Sequence, residues 1–286
     1  MSDMYKNRWA LITGASSGIG AAFAQALIKQ GAHVVLVARR EEKLNQIAQD
    51  ARAAGVNAMV IPADLADPAS PVMIMDQLTH ENIDIDILIN NAGFGLPGGY
   101  AETSWADQSY FLQLMVTSYA ELAHRIFPTM LEKGWGRIIN VASLAGLIPG
   151  ASGHTLYGAS KSFLISFSQS LAAEAYHKPG VKISAFCPGF TLTEFHDRNH
   201  TRAQINALPS FMVMEADKAV TGALKALEDQ NTVYVPGGWN KFLAFLARSL
   251  PLSLAETLVR AQSAKFRRTQ PLSSDESSSS GRTTIT

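Results

Sequence analysis

Short runs of consecutive apolar residues alternate along the chain with longer segments in which apolar residues recur every three or four positions. The runs are rich in β-branched residues, which is typical of strands, and the longer segments have the periodicity of helices. Hydrophobicity within the runs is continuous, so both faces of each strand should be covered. The pattern therefore predicts an α/β fold with a doubly wound parallel sheet of about seven strands. The predicted strands are 8–14, 32–38, 58–63, 85–90, 136–142, 181–187 and 232–236.

Two segments near the C-terminus depart from this alternation. Residues 240–270 contain apolar residues at helical spacing that Pro251 interrupts, so we expect one or two amphipathic helices. Residues 271–286 are rich in serine and have too few apolar residues to fold, which predicts a disordered tail. The predicted organisation is therefore a sheet domain over 1–239, a helical extension and the tail.

Composition and charge narrow the range of partners and locations. The chain has 286 residues, 47% of them hydrophobic, and its 24 Lys and Arg residues balance 24 Asp and Glu residues. A neutral chain has no net attraction for nucleic acid, so no nucleic-acid partner is expected. Cys187 is the single cysteine, which excludes an internal disulfide and a cysteine metal cluster, and no metal site is predicted. The first residues lack the apolar stretch of a signal peptide and no apolar run could span a bilayer, so we expect a cytoplasmic protein.

The first chemical signal is the segment TGASSGIG, which lies between the first predicted strand and the first predicted helix. Glycines let the chain turn sharply and approach a pyrophosphate, whose charge is stabilised by free amides at the helix N-terminus. Three glycines can also form nothing more than a tight turn, but a strand, turn and helix in this order favour dinucleotide binding. The predicted cofactor contacts in this turn are Gly14, Ser16, Ser17, Gly18, Ile19 and Gly20.

Two arginines at the end of the second predicted strand indicate which dinucleotide binds. A site for NAD has an acidic residue about twenty positions beyond the glycines, where it accepts hydrogen bonds from the ribose. This chain has Arg39 and Arg40 instead, and guanidinium groups suit the additional 2′-phosphate of NADP. The alternative is two solvated residues that open a helix, although the helix dipole disfavours cations there. The sequence therefore predicts NADP(H) as the cofactor.

Tyr157 and Lys161 are four residues apart in the segment TLYGASKSFLISF, at the start of a predicted helix. This spacing places both side chains on one helix face, where an ammonium at about 4 Å would favour the phenolate by about 4 kcal/mol before desolvation and screening. The pKa of a free tyrosine is about 10, so a lowered pKa would allow proton exchange at neutral pH. On spacing alone, an ordinary surface pair is the better interpretation. The other motifs have to decide whether the two residues are catalytic instead.

Seven motifs in a fixed order make the chain resemble the short-chain dehydrogenase/reductase family, of the NADP-preferring type. The motifs read TGASSGIG, ARR, ADL, NNAG, INVAS, YGASK and PGFTLT, and the resemblance covers about residues 8–237. The resemblance implies a Rossmann fold with three α/β/α layers and an oxidoreductase that interconverts a carbonyl and an alcohol by hydride transfer. It also implies a small-molecule substrate and a homo-oligomer, a dimer or a tetramer, that uses the long helices.

The resemblance also assigns roles to individual residues. Ser143 would hydrogen-bond the carbonyl oxygen of the substrate, and Tyr157 would transfer the proton. Lys161 would lower the pKa of the tyrosine and hold the nicotinamide ribose. Tyr157 and Lys161 therefore count among the cofactor contacts as well. The other contacts that the resemblance implies are Asp64, Leu65, Asn91, Ala92, Gly93, Pro188, Gly189, Thr191 and Thr193.

Four of these residues also have purely structural interpretations. Asp64 could cap the helix that follows it, and Asn91 could do no more than tie two strands together. Pro188 and Gly189 could simply form a turn. Because all of them occur in the order of the family, the structural interpretations are incomplete.

Met115 lies where the family has a catalytic asparagine, thirteen residues before Pro128. A thioether accepts hydrogen bonds weakly and donates none, so it cannot hold the water through which the family links Lys161 to solvent. One hypothesis is that Gln113 or another water path replaces the asparagine. The other is that turnover falls by about an order of magnitude or more. The second hypothesis leaves an alternative function open, that of a dinucleotide-binding protein with weak or no turnover.

Residues 190–214 are predicted to form a lid beside the substrate. Phe190, Phe195 and the cluster at 211–214 favour an apolar pocket, although a lid also needs apolar residues simply to close. The predicted substrate is accordingly a hydrophobic ketone, an aldehyde or a 3-oxoacyl compound. His154, three residues before Tyr157, is more typical of a solvated or capping residue and is left out of the catalytic set.

The apolar residues of the C-terminal extension have three interpretations. Phe242, Phe245, Leu246 and Leu250 could pack on the lid, join subunits or touch a membrane surface. Packing is the simplest of these. The basic residues at 265–268 permit peripheral membrane contact, but one modest amphipathic segment without a lipid anchor binds weakly. Membrane contact is therefore not the favoured prediction.

Overall fold

The computed structural model describes residues 4–96, 99–150, 155–191, 209, 212–251, 253–257 and 259. Its strands are β1 (Trp9–Thr13), β2 (His33–Ala38), β3 (Ala58–Pro62), β4 (Ile87–Asn90), β5 (Gly136–Val141), β6 (Val181–Phe186), β7 (Phe190–Thr191), β8 (Val213–Met214) and β9 (Val233–Tyr234). Seven of them form one parallel sheet in the order β3-β2-β1-β4-β5-β6-β9. All seven predicted strands are present, and the predicted doubly wound Rossmann-like fold is confirmed.

Helices cover both faces of this sheet. They are α1 (Gly18–Ile28), α2 (Glu41–Ala53), α3 (Ser70–His80), α4 (Trp105–Leu112), α5 (Ser118–Lys133), α6 (Thr155–Glu174), α7 (Ala216–Glu228) and α8 (Gly238–Ser249). Helices α1, α2 and α7 contribute to the hydrophobic core on one face of the sheet, whereas α3 to α6 contribute to the core on the other. In β1, Ile12 enters the first core and Leu11 the second. This explains why the strands are apolar at every position.

Two short elements join the helices and strands around the predicted site. A π-helical turn over Gln113–Thr117 connects α4 to α5, and Leu144–Gly146 form a 3₁₀ turn after β5. Helix α5 ends where Gly134 adopts a left-handed conformation with φ of +66°, which closes many helices. Because all seven strands of the sheet are parallel, the segments after β1 to β6 emerge at one carboxyl edge.

Strands β7 and β8 form a separate two-stranded parallel ladder that the sequence pattern does not predict. Phe190 pairs with Val213, so the two ends of the predicted lid meet. Most of the lid between them, including Phe195 and Phe211, lies outside the described residues, as do Thr193 and His154. A strand of two residues is too short for any periodicity to reveal it.

The C-terminal extension begins with α8, two residues before the predicted start. The helix ends at Ser249, and helical conformation resumes at 253–257, so the predicted break at Pro251 is present. The rest of the predicted extension beyond 259 and the predicted tail lie outside the described residues. In the part of the chain that the structure describes, no helix is both long and apolar enough to cross a membrane.

Candidate active site

The glycine turn joins β1 to α1 at the carboxyl edge of the sheet. Gly14 has φ of +64°, and a Cβ on it would lie 2.8 Å from the Cα of Ala92, so both conformation and space require glycine. A Cβ on Gly20 would collide with the carbonyl oxygen of Gly14. Helix α1 begins at Gly18, so its first amides face the turn, and Ile19 packs partly against the core behind it. The turn has the backbone and the helix N-terminus that a pyrophosphate requires.

Asn91 connects this turn to the end of β4. Its side-chain amide donates to the carbonyl oxygens of Thr13 at 2.8 Å and Gly14 at 3.3 Å. The backbone amides of Asn91 and Ala92 both donate to the Thr13 hydroxyl. The side chain of Asn91 therefore has the structural role that the sequence suggested, because it ties the end of β4 to β1 and to the glycine turn. The backbone of Ala92 lies at the same edge of the sheet.

The two predicted arginines reach the glycine turn in different ways. Arg40 donates from Nη2 to the hydroxyls of Ser17 at 2.8 Å and Ser16 at 3.2 Å. A guanidinium held beside two hydroxyls at the end of β2 is suited to a phosphate on the adenosine ribose. Arg39 is more exposed and turns instead toward the end of β3.

A small polar cluster forms where Arg39 meets β3 and α4. The Tyr110 hydroxyl donates to Asp64 Oδ2 at 2.8 Å and accepts from Arg39 at 3.2 Å, while Arg39 and Asp64 are 3.7 Å apart. Burial and the hydrogen bond to Asp64 raise the pKa of Tyr110. Tyr110 was not predicted, because it comes from a helix outside every shared motif.

The side chain of Asp64 faces this cluster and does not cap a helix. Its second oxygen accepts from the Ala66 amide at 3.1 Å, whereas α3 begins only at Ser70. The capping interpretation of Asp64 is therefore wrong. Leu65, the neighbouring predicted contact, is 4% exposed and packs in the core below the cluster.

Ser143 and Tyr157 meet where β5 ends and α6 begins. The Ser143 hydroxyl accepts from the Ala145 amide at 3.1 Å and hydrogen-bonds the Tyr157 hydroxyl. Burial raises the pKa of Tyr157, and the hydrogen bond from Ser143 opposes this rise without overcoming it. Two of the three predicted catalytic side chains are thus in direct contact.

Lys161 lies below Tyr157 and is almost completely buried. Its Nζ donates to the Val141 carbonyl at 2.8 Å and lies 5.7 Å from the ring centre of Tyr157 and 5.8 Å from that of Tyr119. Burial lowers the pKa of Lys161 to about 7, although the nearby Cys187 acts in the opposite direction. The same burial raises the pKa of Cys187 to about 12.

The sequence-based prediction of a lowered Tyr157 pKa is therefore wrong for the protein without cofactor. Spacing correctly predicts that Lys161 and Tyr157 are close, but it carries no information on burial. Desolvation disfavours both the ammonium and the phenolate, and it is the largest cause of the pKa shift of each residue.

Buried polar side chains hold α6 against the sheet. Asn90 donates to Asn140 at 3.0 Å, and Asn140 donates to Ser168 of α6 at 2.9 Å. On the neighbouring helix, the buried Tyr119 hydroxyl donates to the Ala92 carbonyl at 2.8 Å. These bonds fix the positions of α6, which carries Lys161, and of its neighbour α5, because a buried hydrogen bond is costly to leave unmade.

Met115 lies in the π-helical turn and is 1% exposed. Its sulfur is 2.9 Å from the position that a Cβ on Gly93 would occupy, so the thioether fills the space next to this predicted cofactor contact. The Gln113 amide donates to Ser118 at 3.4 Å, and Ser118 in turn donates to the Leu65 carbonyl. The bonds of Gln113 therefore run toward β3 and give no sign that its amide replaces the asparagine.

The predicted nicotinamide-side loop follows β6 and packs against α8. The Pro188 carbonyl accepts from the Leu144 amide at 2.9 Å, and the Thr191 hydroxyl donates to the Gly189 carbonyl at 3.4 Å. A Cβ on Gly189 would collide with the side chain of Asn240, which is 5% exposed and donates to the Pro236 carbonyl. Asn240 was missed by sequence analysis because no spacing links it to this loop.

Known proteins are similar to this chain in sequence and in fold. A sequence profile of the family described as short chain dehydrogenase matches residues 8–204. Ketoacyl reductase HetN of Nostoc sp. is 34% identical over 223 residues, which cover 78% of this chain and 76% of that protein. A very-long-chain 3-oxoacyl-CoA reductase of Anas platyrhynchos is 34% identical over 193 residues, 65% of this chain and 60% of the relative.

Among solved structures, a short-chain dehydrogenase from Sphingobium yanoikuyae in complex with NADPH has the same fold. It superposes with a TM-score of 0.73 at 30% sequence identity and covers 96% of this chain and 100% of its own. The similarity thus extends beyond the sheet domain to most of the described residues.

Proposed function

The chain belongs to the short-chain dehydrogenase family, and we propose that it is an NADP(H)-dependent reductase that interconverts a hydrophobic carbonyl compound and its alcohol. The observation that carries this proposal is the contact between the Ser143 and Tyr157 hydroxyls, directly above the buried Lys161. When bound, the nicotinamide would supply or accept the hydride. The protein would contribute binding, orientation and the proton.

Tyr157 is proposed as the group that gives a proton to the carbonyl oxygen during reduction and takes it back during oxidation. Its raised pKa keeps the phenol protonated at neutral pH, which suits a proton donor in the direction of reduction. Ser143 would share the substrate oxygen with Tyr157 and hold it in place. Lys161 would keep Tyr157 and the cofactor ribose aligned, because its buried ammonium is fixed by the Val141 carbonyl.

NADP(H) is proposed as the cofactor on the basis of the arginines and the glycine turn. Arg40, with Ser16 and Ser17, would hold the 2′-phosphate, while the Arg39 and Asp64 cluster would line the adenosine side. The similar structure from Sphingobium yanoikuyae, which contains NADPH, supports the same cofactor. Equal or lower Michaelis constants for NADH than for NADPH would refute this part of the proposal.

A hydrophobic substrate, a ketone, an aldehyde or a 3-oxoacyl compound, is supported by two observations. The relatives include a ketoacyl reductase and a very-long-chain 3-oxoacyl-CoA reductase. In addition, the apolar Phe190 and Met214 lie in the short ladder that joins the two ends of the predicted lid. Apolar groups in a lid beside the substrate would favour an apolar substituent on the carbonyl.

A second candidate function is dinucleotide binding with weak or no turnover. It rests on the buried thioether of Met115, which cannot hydrogen-bond a water near Lys161 as an amide would. The intact set of Ser143, Tyr157 and Lys161 argues against it.

The test is NADPH oxidation, followed by absorbance, with a panel of long-chain ketones, aldehydes and 3-oxoacyl thioesters. The intact protein is expected to oxidise NADPH with at least one acceptor. Tyr157→Phe should lower kcat about 100-fold or more, because a positioned acid contributes about two to four orders of magnitude. NADPH binding should be retained, and Tyr176→Phe, at an exposed position just after the same helix, serves as the control. NADPH binding without oxidation of the cofactor by any acceptor would favour the second candidate function.

A further inference from the structure

Helix α8 has two faces of opposite character. Asn240 and Ala244 are buried against the sheet domain, whereas Phe242 is 50% and Phe245 is 68% exposed. Lys241 and Arg248 are exposed as well. At about 100° per residue, Lys241, Phe242, Phe245 and Arg248 fall within about one third of the helix circumference, and the buried Asn240 and Ala244 lie outside this third. These four residues are called the outer face of α8.

The simplest prediction from the sequence is that both phenylalanines pack on the lid. Most of the lid lies outside the described residues, so this stays a prediction. Leu246 and Leu250 are half-buried and flank the inner side, but the two aromatic rings on the outer face project into solvent. The ring of Trp239 packs 5.8 Å from that of Phe242 and continues the apolar surface along the helix.

Charge on this part of the chain is one-sided. Helix α8 contains Lys241 and Arg248 and no acidic residue. From 239 to 268 the sequence has six Lys and Arg residues and one glutamate, although the whole chain is neutral. A local excess of positive charge beside exposed aromatic rings is the composition of segments that lie on anionic membrane surfaces.

We propose that the outer face of α8 binds the surface of bilayers that contain anionic phospholipids. Lys241 and Arg248, at the two ends of the face, contact lipid phosphates, while Phe242 and Phe245 enter the interface between headgroups and acyl chains. The rings supply the apolar contact and the cations supply the attraction to anionic lipid, so both are required for stable binding. The inference does not depend on the proposed reaction.

A second copy of the chain is a poorer occupant of the same face. An isologous dimer brings the same residues of both subunits together, so four cations would meet with no acidic residue of α8 between them. Like charges at close range disfavour such a contact. Anionic lipid, in contrast, is complementary to every charge on the outer face.

The experiment is sedimentation of the full chain with two kinds of vesicle, phosphatidylcholine alone and phosphatidylcholine mixed with phosphatidylglycerol, at low salt. We expect binding to the mixed vesicles only. Lys241→Glu with Arg248→Glu should reduce binding at least about 25-fold, since each cation near an anionic surface contributes about fivefold. Phe242→Ser with Phe245→Ser should abolish measurable binding, because only charge remains.

A matched control changes an exposed aromatic and an exposed cation elsewhere. Tyr176→Ser with Lys178→Glu alters two exposed residues after α6, and this variant should bind as the intact chain does. Thermal unfolding checks that each variant folds. If the phenylalanine variant does not fold, the loss of vesicle binding in the charge variant alone tests the proposal. Absence of binding by the intact chain, or equal loss in the control, would overturn the proposal. So would a concentration-dependent dimer that the phenylalanine variant loses, since it would assign the face to a second copy.

Discussion

The two edges of the sheet bury charged groups in opposite ways. At the amino edge, Arg137 has a side chain that is 4% exposed, and it donates to both oxygens of Glu228 at 2.6 and 3.0 Å. Lys182 and Tyr5 also donate to this carboxylate. Burial raises the pKa of Glu228, but these hydrogen bonds outweigh it and hold the pKa below its ordinary value. Arg137, Lys182 and Glu228 therefore each have a partner of opposite sign.

At the carboxyl edge, Lys161 is equally buried but lies among neutral groups. It donates to the Val141 carbonyl and faces the rings of Tyr119 and Tyr157. These contacts stabilise an ammonium less than a carboxylate would, and the pKa of Lys161 falls to about 7. Paired charges thus stabilise the structure at the amino edge. At the carboxyl edge, the buried ammonium of Lys161 lowers stability and lies next to Tyr157, the proposed proton donor.

Removal of Arg137 should produce the largest loss of stability. Arg137→Met leaves Glu228 without its closest partner, and breaking a buried pair in this way costs about 3–5 kcal/mol. Urea unfolding of the variant and the intact chain measures the difference, and kcat should be unchanged. The control is Arg125→Met, which breaks a partly exposed pair with Glu121 and should cost about 1 kcal/mol or less. Equal losses in the two variants would contradict the comparison.

Removal of Lys161 should have the opposite effect and should increase the free energy of unfolding. The pKa of Lys161 is about 7 in the folded state and about 10.4 in the unfolded state. Below pH 7 both states are protonated, and the buried ammonium then destabilises the folded state. Lys161→Met should therefore stabilise the protein without cofactor by about 1–3 kcal/mol at pH 6. The gain should shrink between pH 7 and about 10.4, where only the unfolded state keeps the proton. A variant less stable than the intact chain at pH 6 would show that the carbonyl and the rings compensate the buried charge.

Met115→Asn tests the carboxyl edge by placing an amide beside Gly93, where the family resemblance implies the catalytic asparagine. If turnover is limited by the supply of protons to Lys161, kcat should rise by about tenfold, the lower range of acid and base contributions. Burial of the amide should cost about 1–2 kcal/mol of stability, because it replaces a well-packed thioether. Steady-state kinetics and urea unfolding measure the two effects. An unchanged kcat would dispose of the hypothesis that Met115 slows the enzyme.

The smallest effect is expected at Tyr110. Tyr110→Phe removes the hydroxyl that joins Arg39 to Asp64, and one such hydrogen bond contributes about 1 kcal/mol. The dissociation constant of NADPH, measured by calorimetry, should rise about fivefold, and that of NADH should rise less because it lacks the 2′-phosphate. Tyr100→Phe, at an exposed position nearby in the sequence, provides the control. Equal weakening of both cofactors would mean that the cluster serves the adenine alone.

Sequence patterns predict the fold and much of the site for a definite reason. Strands covered on both faces are apolar at every position, and the glycine turn is dictated by backbone geometry that Gly14 shows directly. These are local properties of consecutive residues. Order along the chain then places Ser143 and Tyr157 at one edge, where they touch.

The features that sequence reasoning missed depend on burial and on distant segments. Tyr110 meets an aspartate 46 residues earlier in the chain, and Asn240 meets Gly189 across 51 positions, so no local pattern links them. The pKa direction of Tyr157 was wrong because spacing gives proximity and not desolvation. The same limit applies to Phe242, because its apolar side chain does not reveal from the sequence that it is 50% exposed.

The contact of Asn240 with Gly189 joins the predicted nicotinamide-side loop to the helix whose outer face we propose binds lipid. Cofactor binding at the loop and lipid binding at the outer face would act on the same helix. Linkage then requires that any factor by which cofactor changes the affinity for lipid equals the factor by which lipid changes the affinity for cofactor. One packed amide would thereby give the enzyme a reciprocal response to the surface on which it lies.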